Sequence, residues 1–223
     1  MNVFDIIGPV MIGPSSSHTA GAVRLGRVAS KVIDRQQPKK VEITLSGSFA
    51  RTYRGHGTDR ALMAGIMGYH SYDAEIRDAL QIAKDRGIDY RFIEEDIPGS
   101  HPNTARIHVI AEDGTEATVQ GASVGGGNIL VQMVNGMKVE FNGEYNTVMI
   151  LHYDRPGVIA DVTNYIRLVY PETNICNFHL SRKEKGGEAL MTIEVEGEAP
   201  DGMVDGLRKL NNVINAMVLK KIS

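Results

Sequence analysis

Gly13-Pro14-Ser15-Ser16-Ser17-His18-Thr19-Ala20-Gly21 sets three serines, a histidine and a threonine in a row between a Gly-Pro pair and a glycine. Behind it Ala20, Ala22, Val23, Leu25, Val28, Ala29, Val32 and Ile33 recur at helical spacing. The pattern predicts a polar loop running into a helix N-terminus, with the helix reaching about Asp34 before Gln36-Gln37-Pro38 breaks it. The first amides of a helix lack internal partners, and a Ser or Thr hydroxyl commonly caps them. Five polar side chains exceed what one cap requires. At the positive end of a helix dipole the surplus suits a bound anion such as a carboxylate. An ordinary Ser/Thr-rich cap is the plainer alternative.

On the N-terminal side Val3, Phe4, Ile6, Ile7, Val10, Met11 and Ile12 are expected to be buried. On the other side Val41, Ile43 and Leu45 alternate with Glu42 and Thr44, a half-buried strand. That strand runs into Gly47-Ser48-Phe49-Ala50-Arg51-Thr52 and then Gly55-His56-Gly57-Thr58-Asp59. A second helix follows, with Ala61, Leu62, Ala64, Gly65 and Ile66 inward and Thr58 or Asp59 as its cap. His56 lies between two glycines just ahead of it, an exposed imidazole able to exchange protons near neutral pH. A surface histidine in a Gly-rich turn is the competing reading.

Residues 71–87 predict a charged helix closed by Gly87. Tyr90 and Phe92 begin a strand, and His101-Pro102-Asn103-Thr104 is a polar turn. Strands over 106–111 and 116–120 flank a hairpin turn, and Gly125-Gly126-Gly127 allows close backbone approach. Residues 129–141 read as one or two strands. Asn142-Gly143-Glu144-Tyr145-Asn146 is the expected linker between domains at 1–141 and 147–223. The remainder reads β-α-β-β-α-β, a ferredoxin-like sandwich, so the fold class is α+β.

With 42% hydrophobic and 23% charged residues the chain is ordinary for a soluble globular protein. A net charge of -3 without a dense Lys/Arg tract argues against nucleic-acid binding. No apolar run approaches the roughly 18–20 residues of a membrane span, and no secretory signal is recognised. The single cysteine, Cys176, can form neither an internal disulfide nor a metal cluster alone. A cytoplasmic location is the expectation.

Several of these pieces, in this order, resemble the β part of iron–sulfur L-serine dehydratases. They are Phe4-Asp5-Ile6-Ile7-Gly8-Pro9, the Gly13–Thr19 stretch, Gly47-Ser48, Gly55-His56-Gly57-Thr58-Asp59, His101-Pro102-Asn103 and Ser123-Val124-Gly125-Gly126-Gly127. The strand–Asp154-Arg155-Pro156-Gly157–helix turn is similar to that of an ACT domain. The first part is also similar to the allosteric substrate-binding domain of some 3-phosphoglycerate dehydrogenases. The resemblance implies the separate β subunit of a two-chain enzyme that converts L-serine to pyruvate and ammonia. It implies a [4Fe–4S] cluster, acting as Lewis acid on the serine hydroxyl, whose cysteines belong to the α subunit, in keeping with the lone Cys176.

The resemblance places the catalytic histidine at His56, with His18 as the second candidate base. Ser15, Ser16, Ser17, Thr19, Thr58, Asp59, Asn103 and Gly126 are the expected substrate-binding residues; Asp59 either orients His56 or caps a helix. His152, Asp154, Gly157 and Asn174 are the expected effector site of the ACT unit. Asp154 departs from the family pattern, since a carboxylate there repels a ligand carboxylate but can hold a cation or an amino group. The alternative for that unit is assembly alone, as a homodimer or within an α2β2-type complex. Partners implied are the α subunit and L-serine. A stand-alone amino-acid sensor is the competing function. A zinc hydrolase built from His18, His56 and His101 finds no metal-ligand spacing to support it.

Overall fold

The structure, a computed structural model, describes residues 11–222, so Phe4-Asp5-Ile6-Ile7-Gly8-Pro9 and the rest of the expected apolar N-terminus up to Val10 lie outside the described residues. The chain divides into two compact units between Asn135 and Gly136. The expected linker lies a few residues further on, so β6 (Met137–Phe141) opens the second unit.

In the first unit the expected polar loop is helical. Ser16–Gly21 is a wide, π-helical turn that flows into α1 (Ala22–Val32). Ser15 is the N-cap: its hydroxyl accepts from the His18 amide and its carbonyl from the Thr19 amide. The helix therefore starts inside the serine run. β1 (Pro38–Leu45) follows as expected.

The next segment corrects the sequence reading. Gly47–His56 is a helix, α2, not a continuation of the strand. Phe49 and Tyr53, one turn apart, are its buried residues, and the Phe49 amide donates to the Pro102 carbonyl at 3.2 Å. Gly47 stands at φ 59° against the Pro102 backbone, where a Cβ would collide. His56 is thus the last residue of α2 rather than a loop residue ahead of a cap. Gly57, at φ 72°, closes α2 and opens α3 (Thr58–Ile66). Thr58 and Asp59 lie inside α3 and neither is its N-cap.

The charged helix expected over 71–87 is a 3-10 turn (Ala74–Asp78) followed by α4 (Ala79–Asp85). β2 (Asp89–Glu94), β3 (Thr104–Ala111), β4 (Glu116–Gly125) and β5 (Asn128–Val134) complete the unit. The strands lie in the order β2-β1-β3-β4-β5, with β1 and β2 parallel and the other pairs antiparallel. Alternation in β3 sends Ala105, Ile107, Val109 and Ala111 inward. The opposite face carries polar cross-strand pairs such as Arg91–Glu42 and His108–Glu116. α1 packs on β3, β4 and β5, and on α3 through Gly26 and Gly65. A Cβ on Gly26 would meet the Leu62 carbonyl, and one on Gly65 the Val23 carbonyl.

The second unit has the expected β-α-β-β-α-β order: β7 (Asn146–Tyr153), α5 (Val158–Val169), β8 (Ile175–Arg182), β9 (Glu188–Val195), α6 (Asp201–Leu207) and β10 (Val213–Leu219). Its antiparallel sheet runs β10-β7-β9-β8. Val148, Ile150, Met191, Ile193 and Ala216 from the sheet meet Val158, Val162, Ile166, Met203 and Leu207 from the helices. The fold class is α+β, as expected. Among the described residues no helix is long and apolar enough to cross a membrane.

Candidate active site

In the first unit α2, α3, β4 and β5 all pack against the Ser16–Gly21 turn. His18 sits at its centre and is 8% exposed. Its Nε2 lies 3.1 Å from the Thr52 hydroxyl, and Thr52 donates its only hydroxyl proton to the Ser48 carbonyl at 2.7 Å. Thr52 can therefore only accept from His18, which puts a proton on Nε2. In the neutral ring Nδ1 is then an acceptor, and the Ser15 hydroxyl stands 3.4 Å from it. Burial, and secondly the nearby His56, push the His18 pKa below its ordinary value, favouring that neutral form.

His56 rests on this buried ring. The two centroids are 4.7 Å apart, and the centroid of Phe49 lies 5.2 Å from that of His18. His56 is exposed and makes no hydrogen bond among the described residues. It borders a cleft of about 240 Å³ lined also by Pro14, Thr19, Arg60, Ile76 and Arg77. Neither guanidinium has an ion pair or hydrogen bond among the described residues.

The other expected residues fall around this centre. Ser16 and Ser17 are half-buried on the turn and Thr19 is buried beside the cleft. Thr58 is fully buried and its hydroxyl has no partner among the described residues. The Asp59 carboxylate accepts from the Arg60 amide at 2.8 Å, and burial raises its pKa. Asn103 is held to Ser123: it accepts the Ser123 amide at 3.0 Å and its side-chain amide points at the Ser123 carbonyl at 3.5 Å. Ser123 in turn abuts Gly21, at the end of the turn. His101 accepts the Asn103 amide at 3.1 Å. Gly126 is exposed at the β4–β5 turn, at φ 61°, and its neighbour Gly127 accepts from Arg24.

The sequence reading missed Thr52, Arg60 and Arg77. The available signal for Thr52 was the Phe49/Tyr53 spacing, which marks a helix and sets Thr52 one turn before His56. Nothing local marked the two arginines.

In the second unit His152 is buried at the end of β7, its Nδ1 donating to the Tyr153 carbonyl at 2.8 Å. Asp154 follows it and accepts from the Gly186 amide at 2.9 Å and from Arg182 at 2.7 Å, which together hold its pKa below the usual carboxylate value. Gly157, at φ 93°, caps α5. Asn174 lies at the other end of the sheet and donates to Glu196 at 2.8 Å. Within one chain, Asn174 and the His152–Asp154 pair are not brought together.

The family model described as serine dehydratase beta chain matches residues 2–133. A probable L-serine dehydratase beta chain of Bacillus subtilis is 45% identical over 96% of this chain and 95% of its own length. The L-serine dehydratase beta chain of Peptoniphilus asaccharolyticus is 37% identical over 87% of each chain. A D-3-phosphoglycerate dehydrogenase of Methanocaldococcus jannaschii is 27% identical over 89% of this chain, which spans 37% of that enzyme. Among solved structures, the ACT domain of a Chlorobium tepidum GTP pyrophosphokinase matches 34% of this chain at 22% identity, with a TM-score of 0.29. The extent and identity of the first three matches settle the assignment: this chain belongs to the serine dehydratase beta chain family.

Proposed function

We propose that this chain is the β subunit of a two-chain L-serine dehydratase, which converts L-serine to pyruvate and ammonia. The observation that carries the reading is His56, packed on His18, at the edge of a cleft holding two guanidinium groups, Arg60 and Arg77, that are unpaired among the described residues. A small amino acid presents one carboxylate for those cations and one α-proton for the imidazole. Loss of the α-proton and of the β-hydroxyl as water leaves an enamine, which tautomerises and hydrolyses to the two products. In this scheme His56, exposed and without a hydrogen bond among the described residues, moves the proton. His18, held by Thr52 through Nε2–H and biased toward its neutral form by burial, packs against that ring.

The residues of this chain do not suit a [4Fe–4S] cluster. Cys176 donates to the Glu194 carbonyl at 3.3 Å, and among the described residues no group of three His, Cys, Asp or Glu stands ready to hold a metal. The cluster is therefore assigned to the α subunit. For the second unit we favour assembly of copies over effector binding within one chain. Arg182 and the Gly186 amide both bind Oδ2 of Asp154, so its charge is already balanced within the chain, and Asn174 is not brought to it.

The test is anaerobic pyruvate formation from L-serine by this chain alone, by the chain with its cysteine-bearing partner, and by that pair carrying His56→Ala. Activity in the pair alone, lost with His56→Ala while assembly persists, is the expected result. An inactive pair with a properly formed cluster would leave the amino-acid sensor in front.

A further inference from the structure

A second cavity lies at the opposite end of α1 and α3 from the histidine pair. Its volume is about 300 Å³. Arg27, Lys31 and Arg35 line it from α1 and the turn after it, and His70 from the segment after α3. No carboxylate is among its lining residues, in a chain of net charge -3.

Four features set this cluster apart from a solvated basic face. Arg27 and Lys31 lie four residues apart on α1, an arrangement of like charges that repel along a helix, and Arg35 follows in the turn after it. The helix dipole favours cations in the last turn, which accounts for Lys31 but not for Arg27 further back or for His70 on another segment. Lys31 is 9% exposed, so the cationic wall is built into the fold. Asp34 and Arg35 both stand in the left-handed region, at φ 54° and 57°. That turn, closed by the Arg35 amide on the Ser30 carbonyl at 2.8 Å, sets Arg35 at the cavity.

The surroundings suit a negative ligand. Ala29, Ser30, Lys31 and Ile33, whose carbonyls end the helix, all accept amides of the turn, so they do not stand bare toward the cavity. Arg27 donates to Nδ1 of His70 at 2.9 Å, which leaves the His70 ring proton on Nε2, a donor without a partner among the described residues. The Asp73 carboxylate, which also attracts Arg27, accepts the His70 amide at 2.7 Å. Burial, together with the charges of Arg35 and Arg24, lowers the Arg27 pKa, in keeping with crowding of cations.

We propose that this cavity binds a small multivalent anion, a phosphate or a dicarboxylate, between Arg27, Lys31, Arg35 and His70. The site is separate from the serine cleft and does not depend on the reaction assigned there. The Gly26 and Gly65 contacts lock α1 to α3 between the two sites.

Calorimetric titration of the full chain with inorganic phosphate and, separately, with succinate tests this, with sodium chloride at matched ionic strength as control. Saturable binding in the millimolar range or tighter is expected for one of them. Arg35→Gln, at an exposed position, should weaken it about tenfold, Arg27→Gln at least as much, and Arg77→Gln in the other cleft not at all. The tighter probe assigns the anion as phosphoryl or carboxylate. No saturable binding of either probe, or binding lost with Arg77→Gln and kept with Arg35→Gln, would overturn the proposal.

Discussion

The His18 and His56 rings meet edge to face, their centroids 4.7 Å apart and their planes at 88°. One ring is buried in the Ser16–Gly21 turn and the other ends α2 in the open. The buried ring is oriented from behind by Thr52, so the exposed one rests on a fixed support.

Thr52→Val should expose that dependence. The variant keeps the shape of the side chain but leaves the buried Nε2–H of His18 without an acceptor, a cost of about 1–3 kcal/mol. A roughly tenfold or greater fall in kcat with the α partner is expected, rescued by Thr52→Ser. Nitrogen chemical shifts of His18 read the tautomer directly. A Thr52→Val enzyme with full kcat and an unchanged His18 tautomer would remove Thr52 from the site.

The His18 pKa is depressed on folding, so the unfolded chain binds the proton more readily. Its contribution to stability is intact above the unfolded value of about 6.5 and is lost as pH falls through the lower folded value. Urea midpoints measured from about pH 7.5 down to about pH 5 should decline, and decline less in His18→Gln. Equal slopes in both proteins would contradict the burial argument.

Asp59 has the opposite sign. Burial raises its folded pKa above the unfolded 3.8, so its contribution is present below that value and lost as pH rises through the folded one. Asp59→Asn keeps an oxygen for the Arg60 amide and removes the buried charge. Its Tm should exceed that of the wild type at neutral pH and converge with it in acid. Retained activity would leave Asp59 as a helix-start residue; a loss of kcat at unchanged KM would make it a positioning residue for His56.

Gly26→Ala and Gly65→Ala each drive a methyl into a backbone carbonyl of the facing helix. A loss of about 1–3 kcal/mol is expected from such overpacking, although alanine is the better helix former. Urea unfolding would show it as a lower midpoint at unchanged slope. A midpoint at or above that of the wild type would mean that α1 and α3 separate at little cost.

Much of the fold was legible because its signals are local. The β-α-β-β-α-β order of the second unit follows from alternation in β7 and β9 and from the apolar spacing Val158, Val162, Ile166 in α5. Gly87 and Gly157 mark a helix end and a helix start by needing φ of 71° and 93°. α2 left only a faint signal: Phe49 and Tyr53 are its only buried residues, and it opens on Gly47 at φ 59°. Part of what holds it is the Pro102 carbonyl, far away in sequence. That misreading also put His56 before a helix instead of at the end of one.

By itself the sequence determined the residue types, the strand and helix periodicity and the position of His18 in a polar run ahead of an apolar helix. Those depend on neighbours three or four positions apart, which any chain carries with it. Only the tertiary structure decided that burial lowers the His18 pKa, that Thr52 orients it, that His56 rests on it and that Arg60 and Arg77 share the cleft beside His56. The reason is physical: burial, tautomer and charge balance are set by groups that meet in space, and α1, α2 and α3 meet only once they pack around the sheet.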